Sequence, residues 1–307
     1  MQMNRNLYRS DLCLLLCGTL VWMLADAGRV RMAVAEALSL CAGTVIPALF
    51  PFMVVSGLLV SLGFGEWLSP RLAGLMGPLF RLPGSAASAL LLGFVGGYPI
   101  GARTAADLYR EGLLTREETE RLLTFCNNSN PAFLISVLGS GVFGDVRTGV
   151  WLWLIHILSA LLTGCFFCAR TSAPSRRPLK KVSCRAVSCS AAFVGAVGRA
   201  ASGMLSICAF VVVFYVAAIP LQALGGPAAA ILTGMLELFS LTPLLTANAF
   251  GFLLAAFCSG WGGLSVLAQT AAVLEEAGLR LRPALAGKLL QGLLSLALAI
   301  PVYALIL

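Results

Sequence analysis

From Ala200 to Leu224 the chain carries no charged side chain, and from Leu289 to Leu307 it again carries none. A membrane helix needs about 20 mostly apolar residues. Within hydrocarbon, every backbone N–H and C=O must be satisfied by the protein itself, so runs of this length read as helices that cross a bilayer. Charged residues make up 11% of the sequence and hydrophobic residues 59%, with a mean hydropathy of +0.92. Soluble domains hold about 25% charged residues. The 307 residues leave room for about eight to ten membrane segments and for no separate soluble domain. Nucleotide-fold enzymes and secreted scaffolds are thereby excluded. The net charge of +8 would suggest nucleic acid in a soluble chain. Here the basic residues flank apolar runs, where they orient helices, and no nucleic-acid partner is expected.

Most cysteines, including Cys13, Cys41, Cys126, Cys208 and Cys258, lie in or beside apolar segments and read as small buried hydrophobes. Cys165 and Cys168 form a CxxC with no second pair at zinc spacing, and His156 is the only histidine. A metal site and thioredoxin-type chemistry are not expected. The apolar stretch Leu12 to Ala25 follows Arg5 and Arg9 but no A-x-A-like site follows it, so it reads as a retained helix.

The next stretch, Ala33 to Phe64, contains Pro47 and Pro51, and a kinked or broken helix is expected. The run from Ala86 to Val95 is too short to cross and ends in Gly96-Gly97-Tyr98-Pro99, which predicts a re-entrant segment. Thr115 and Glu118 make a capping box that starts a helix. That helix stops at Asn127-Asn128-Ser129-Asn130-Pro131, ahead of another short apolar run and a full span from Thr148 to Ala169. Arg170 to Arg185 carries six basic residues and no acid, and reads as a cytoplasmic loop.

Gly96 to Leu113 aligns without gaps on Gly262 to Leu279, with nine of eighteen positions identical. The chain therefore divides into an N-terminal helix (1–29), a first repeat (30–169), the basic loop (170–189) and a second repeat (190–307). The span before the basic loop should run inward, and the last span, preceded by Arg280 and Arg282 with Lys288 in its first turn, should run outward. The fold class expected is an all-α polytopic membrane protein of two inverted repeats with broken and re-entrant helices, an arrangement that places a substrate site near the bilayer midplane.

Asn127, Asn128 and Asn130 gather amide groups where a helix breaks, with Asn130 as N-cap and Pro131 as first residue of the next helix. The N-terminal end of that half-helix suits an anionic or polar ligand. The glycine-rich turns at Gly97-Tyr98 and at Gly263 suggest two hairpin tips, serving either backbone approach to a ligand or close helix packing. Where the first copy has Tyr98 and Arg103 the second has Leu264 and Gln269, so the site should be asymmetric. Arg103 is placed to meet a carboxylate ligand, while Asp107, Arg110 and Glu111 read as a solvated face. Glu237 is the most isolated charge, and an acid within a span is a functional candidate: it could take up a proton or bind Na⁺ as a coupling step. Thr242, ahead of Pro243, reads as the N-cap of a following helix, and His156 reads as a packed histidine. No Ser/His/Asp or Cys/His set, HExxH or phosphate loop is present, so the chain does not read as an enzyme and needs no cofactor beyond a coupling Na⁺ or H⁺.

GGYPIGA with its short amphipathic helix, ERLLTFCNNSNPAF and GMLEL resemble the sporulation integral membrane protein YlbJ family, among the nucleoside-recognition (Gate) domain membrane proteins. The resemblance runs from about Pro47 to the C-terminus. It implies a transporter related in architecture to concentrative nucleoside transporters, with one branch implicated in moving dipicolinate during spore formation. It carries over Gly96, Gly97, Tyr98, Pro99, Asn127, Asn128, Pro131 and Glu237 as motif positions. The function expected is transport of a small polar or anionic metabolite, such as dipicolinate. Nucleoside transport, or a non-transporting role in assembling a sporulation complex, is the alternative. The setting is the cell membrane, and in a sporulating cell the membrane around the forespore. The partners are a small-molecule substrate and the lipid bilayer, with self-association into a homo-oligomer left open.

Overall fold

The computed structural model describes residues 2–169 and 188–306. The basic loop Arg170 to Arg185 lies outside the described residues. Helices α1 (Gln2–Ala25), α2 (Ala27–Leu40) and α3 (Ile46–Ser61) come first, with a π-helical turn, Cys41–Val45, joining the latter two. Of the kink or break expected at Pro47 and Pro51, no break occurs, and the irregularity is a π-helical turn. A proline lacks the N–H that would bond the carbonyl four residues back and crowds that carbonyl, and the wider π turn just ahead of Pro47 accommodates this within a continuous helix.

There follow α4 (Phe64–Phe80), α5 (Ala86–Gly96), α6 (Ile100–Arg110) and α7 (Arg116–Leu122), then a π-helical segment Phe133–Val142 and α8 (Val146–Cys168). Beyond the undescribed residues come α9 (Cys189–Gln222), α10 (Gly226–Leu236), α11 (Leu238–Leu241) with a 3₁₀ turn at Thr242–Leu244, α12 (Ala249–Trp261), α13 (Gly263–Glu276) and α14 (Arg282–Ile306). Among the described residues, five stretches are long and apolar enough to cross a membrane: Ala27–Leu59, Val146–Cys168, Cys189–Gln222, Ala249–Glu276 and Arg282–Leu305. Large apolar side chains stand outward on them, Leu205 at 73% and Phe166 at 66% exposure. In water such a surface would aggregate, whereas in lipid it is solvated. The protein is an all-α polytopic membrane protein.

α5 has 11 residues, a rise of about 17 Å against a hydrocarbon core of about 30 Å. It turns at Gly97-Tyr98-Pro99 and α6 packs back along it, so the predicted re-entrant segment is a hairpin. The capping box is formed as predicted: Thr115 N–H donates to Glu118 Oε2 at 2.7 Å and Glu118 N–H to Thr115 Oγ1 at 3.2 Å.

The aligned segments share conformation at matched positions. Thr104 Oγ1 donates to Ile100 O at 2.9 Å and Thr270 Oγ1 to Val266 O at 2.7 Å. Gly97 and Gly263 take φ of 76° and 87°, and Gly112 and Gly278 take 72° and 67°. The two helices close alike, with Leu113 N–H on Leu108 O and Leu279 N–H on Leu274 O. The helices ahead of them differ. α12 leads into α13 through a bend at Gly262-Gly263 and does not fold back along it, so the second hairpin tip expected at Gly263 is a bent span instead.

These segments run side by side in the same sense. Tyr98 meets Gly262 at one end, Asn127 links Ala102 N–H to Thr270 Oγ1 midway, and Arg110 pairs with Glu276 at 3.6 Å at the other end. α14 likewise runs along α7 and the chain after it: Arg280 bonds Glu120, Gly287 packs on Thr124, Lys288 bonds Asn127 and Gln291 bonds Asn128. α8 runs the other way, with Gly149 against Ile135, His156 on Ser129 and Gly164 against Phe125. α8 and α14 are therefore opposed, as the distribution of basic residues required. They are not counterparts, however. The alignment pairs α14 with α7, each starting just past its matched leucine, and this pair runs the same way. The inverted relation expected of the two repeats does not hold for the segment whose sequence repeats.

Candidate functional site

Four interruptions of regular helix meet at one place: the Gly97-Tyr98-Pro99 turn, the asparagine break between α7 and the π-helical segment, the break between α10 and α11, and the bend at Gly262-Gly263. Asn130 caps the second half-helix as predicted, its Oδ1 accepting from Ala132 N–H at 2.6 Å, with Pro131 as first residue. Its Nδ2 donates to the carbonyls of Val95 and Gly96, at 3.4 Å each, at the C-terminal end of α5. Gly97 allows this approach, since a Cβ there would lie 2.8 Å from Asn130 Cβ.

Asn127 Oδ1 accepts from Ala102 N–H at 3.4 Å while its Nδ2 donates to Thr270 Oγ1 at 2.9 Å. Asn128 is fully buried, donates to Phe125 O at 2.8 Å and accepts from Gln291 Nε2 at 3.0 Å. The Ser129 N–H donates to His156 Nε2 at 3.0 Å. The helix break leaves main-chain groups such as the Ser129 N–H without helical partners, and the low dielectric around them makes each replacement partner matter. The break is also caged by glycines: a Cβ on Gly93 would lie 1.8 Å from Cys126 O, on Gly101 2.0 Å from the same atom, and on Gly287 2.0 Å from Thr124 O.

At the third interruption Glu237 leaves the helix, with φ −155° and ψ 130°, and its carboxylate accepts from Ser240 N–H. Glu237, not Thr242, is thus the N-cap of the short α11. Thr242 donates back to Phe239 O at 2.7 Å. A Cβ on Gly263 would sit 2.9 Å from Leu236 O, so the bend of α12–α13 presses directly on this break. Trp261 Nε1 ties the same two elements by donating to Met235 O at 3.0 Å.

A cavity of about 40 Å³ lies between the interruptions, lined by Tyr98, Ser129, Asn130, Glu237, Ser265 and Gln269 on its polar side and by Leu49, Phe133 and Phe210 on its apolar side. About 10–15 Å³ of such volume holds one water, so the cavity has room for a few waters.

The residues singled out from sequence separate accordingly. Tyr98, Asn130 and Glu237 line the cavity. Asn127 and Asn128 lie behind it, spent on bonds within the protein. Gly97 and Gly263 serve close packing of backbone on backbone and do not line it. Arg103 is exposed on α6, away from the cavity, while its counterpart Gln269 lines it, and Tyr98 lines it while its counterpart Leu264 does not. Lys288, which beside Arg280 and Arg282 reads from sequence as an orienting charge, is a further site residue. The structure buries it at 2% exposure, its Nζ 3.0 Å from Asn127 O. His156, taken as mere packing, holds the asparagine break. Among the described residues no group of three His, Cys, Asp or Glu is placed to hold a metal ion.

The structure is that of an integral membrane protein with interrupted helices around a buried polar centre. Residues 42–146 match the model of the Gate family, described as nucleoside recognition. That region holds the Tyr98 turn and the asparagine break, whereas Glu237 and Lys288 lie beyond it. Over 292 residues the chain is 29% identical to the sporulation integral membrane protein YlbJ of Bacillus subtilis (strain 168), the match covering 81% of this chain and 71% of that protein. Both findings agree with the resemblance carried by the GGYP and asparagine blocks. No solved structure matches the chain.

Proposed function

We propose that the protein is a transporter of a small polar or anionic metabolite, dipicolinate during sporulation being the leading candidate, and not an enzyme. The observation that carries this reading is the convergence of four helix interruptions on one cavity lined by Tyr98, Asn130 and Glu237. Irregular backbone at membrane depth occurs where it lines a cavity or pathway, and its freed amide and carbonyl groups are what transporters use to hold substrate and ion. The Gate match and the sporulation relative support the class. The setting is the cell membrane, and in a sporulating cell the membrane around the forespore. The loop 170–185 is cytoplasmic and the C-terminus lies on the opposite side, in keeping with the opposed α8 and α14.

Glu237 supplies the coupling. An anion cannot share so small a cavity with an ionised carboxylate, because like charges at that distance in a low dielectric repel strongly. Substrate binding therefore requires Glu237 to be neutralised, by H⁺ or by Na⁺. Arg103 is too exposed to serve as the anion's partner. A thermal-shift screen of the purified protein against dipicolinate, related carboxylates and nucleosides tests the site. A ligand that stabilises the parent but not Asn130→Ala is the expected result. Stabilisation that survives in Asn130→Ala places the pocket elsewhere, and the absence of any ligand across the panel favours an assembly component over a transporter.

A further inference from the structure

We infer that the Lys288 ammonium is a built-in cation occupying the position at the asparagine break where a coupling metal ion would otherwise bind, so that this break takes up no Na⁺. The inference deepens the transport reading and rests on it for its meaning, though not for its test.

α7 ends at Leu122 and the chain turns through 123–126 into the break, where main-chain carbonyls, carrying partial negative charge, attract a cation. In transporters built from broken helices, such carbonyls coordinate the driving ion. Here Lys288 Nζ donates to Asn127 O at 3.0 Å and to Gln291 Oε1 at 2.7 Å, and lies 5.1 Å from the centroid of the Tyr98 ring. An ammonium has three N–H donors, and two oxygens and an aromatic face account for all of them. Among the described residues no carboxylate pairs with Lys288. Its countercharge is the carbonyl end of the break itself.

The surroundings hold the ammonium there. Gln291 Nε2 donates to Asn128 Oδ1, which turns the Gln291 oxygen toward Nζ, and Asn128 is fixed in turn by Phe125 O. Gly287, against Thr124, lets α14 come close enough for the next residue to reach the break. Removing the side chain beyond Cβ would leave a space facing Asn127 O and Gln291 Oε1, suited to a monovalent cation with water completing its shell.

The test compares Glu237→Gln with Glu237→Gln/Lys288→Ala, the first substitution removing any Na⁺ held by that carboxylate. Thermal unfolding is followed in detergent in NaCl and in choline chloride of equal strength. The expected result is no Na⁺-specific shift in the single variant and a Na⁺-specific rise of a few degrees in the double variant. Equal Na⁺ stabilisation of both, or of neither, overturns the assignment. Should the alanine variant be lost on purification, Lys288→Ser replaces it, the hydroxyl supplying an extra oxygen. Loss of both variants in NaCl as well as in choline also contradicts the assignment, because Na⁺ standing in for the ammonium would recover the fold. No substrate enters this measurement, so its failure leaves transport untouched, and failure of transport leaves it standing.

Discussion

The Tyr98 hydroxyl lies 3.1 Å from the main-chain oxygen of Ser259, tying the tip of the re-entrant hairpin to α12 across 161 residues of sequence. Ser129 Oγ sits 3.2 Å from both atoms, so the asparagine break joins the same triangle. Three of the four interruptions are held together by two hydroxyls and one carbonyl.

Tyr98→Phe removes one corner of that triangle and leaves Ser129 to serve Ser259 O. The loss should be about 1 kcal/mol, the net value of a hydrogen bond whose acceptor keeps a second donor. Tyr98→Ala also removes the ring beside Lys288 and should cost about 3–5 kcal/mol. Thermal unfolding in detergent reads both. A phenylalanine variant as unstable as the alanine variant would mean that the hydroxyl, not the ring, organises the tip.

Glycines offer a sharper contrast. Alanine at Gly93, Gly101 or Gly287 drives a Cβ to within 2.0 Å of a main-chain oxygen of the break, and backbone cannot step aside as a side chain can. Each should destabilise by about 3 kcal/mol or more. Gly198, within α9 and with nothing within 4 Å of its Cβ position, should gain about 0.5–1 kcal/mol on change to alanine. Yield of monodisperse protein and unfolding temperature check the four together, and a tolerated Gly101→Ala would contradict the packing described at Cys126.

Outside the membrane segments, Glu120 accepts from Arg280 Nε at 3.0 Å and from Arg116 Nε at 3.1 Å. The Arg280 hydrogen bonds, with Arg116 second, hold its carboxyl below the ordinary value of 4.5, against an opposing push from burial. A folded value below the unfolded one means that the pair stabilises fully above the ordinary carboxylate range and is lost as pH falls through the lowered value. Unfolding temperature should therefore drop below about pH 4.5 more steeply in the parent than in Glu120→Gln. Parallel pH profiles would remove this link between α7 and the start of α14.

What the sequence disclosed was local. The Thr115–Glu118 box and the Asn130–Pro131 cap need only neighbours within three residues, and both formed as read. Glu237 stood out because an acid among apolar residues is conspicuous in one dimension. Its capping role did not, because the short polar residues Ser240 and Thr242 nearby are the commoner caps. Arg103 could have been placed correctly: it shares one helical face with Asp107 and Arg110, opposite Ala102, Ala105 and Ala106, which are fully buried. Lys288 could not. Its partner Asn127 is 161 residues away, and beside Arg280 and Arg282 it looks like one more orienting charge. The direction of the repeated segments was hidden for the same reason, since charge distribution orients a span without saying which span is its counterpart.

Uptake by the purified protein in liposomes bears most directly on whether the cavity at Tyr98, Asn130 and Glu237 is a transport site. Radiolabelled dipicolinate, related carboxylates and nucleosides would be offered to parent and Glu237→Gln protein, with and without Na⁺ and pH gradients, after equal insertion of the two proteins has been verified. Saturable, gradient-driven uptake of at least one compound by the parent, abolished in Glu237→Gln, is the predicted result. Gradient-driven uptake that persists unchanged in Glu237→Gln, or no uptake of any compound by the parent, would contradict it.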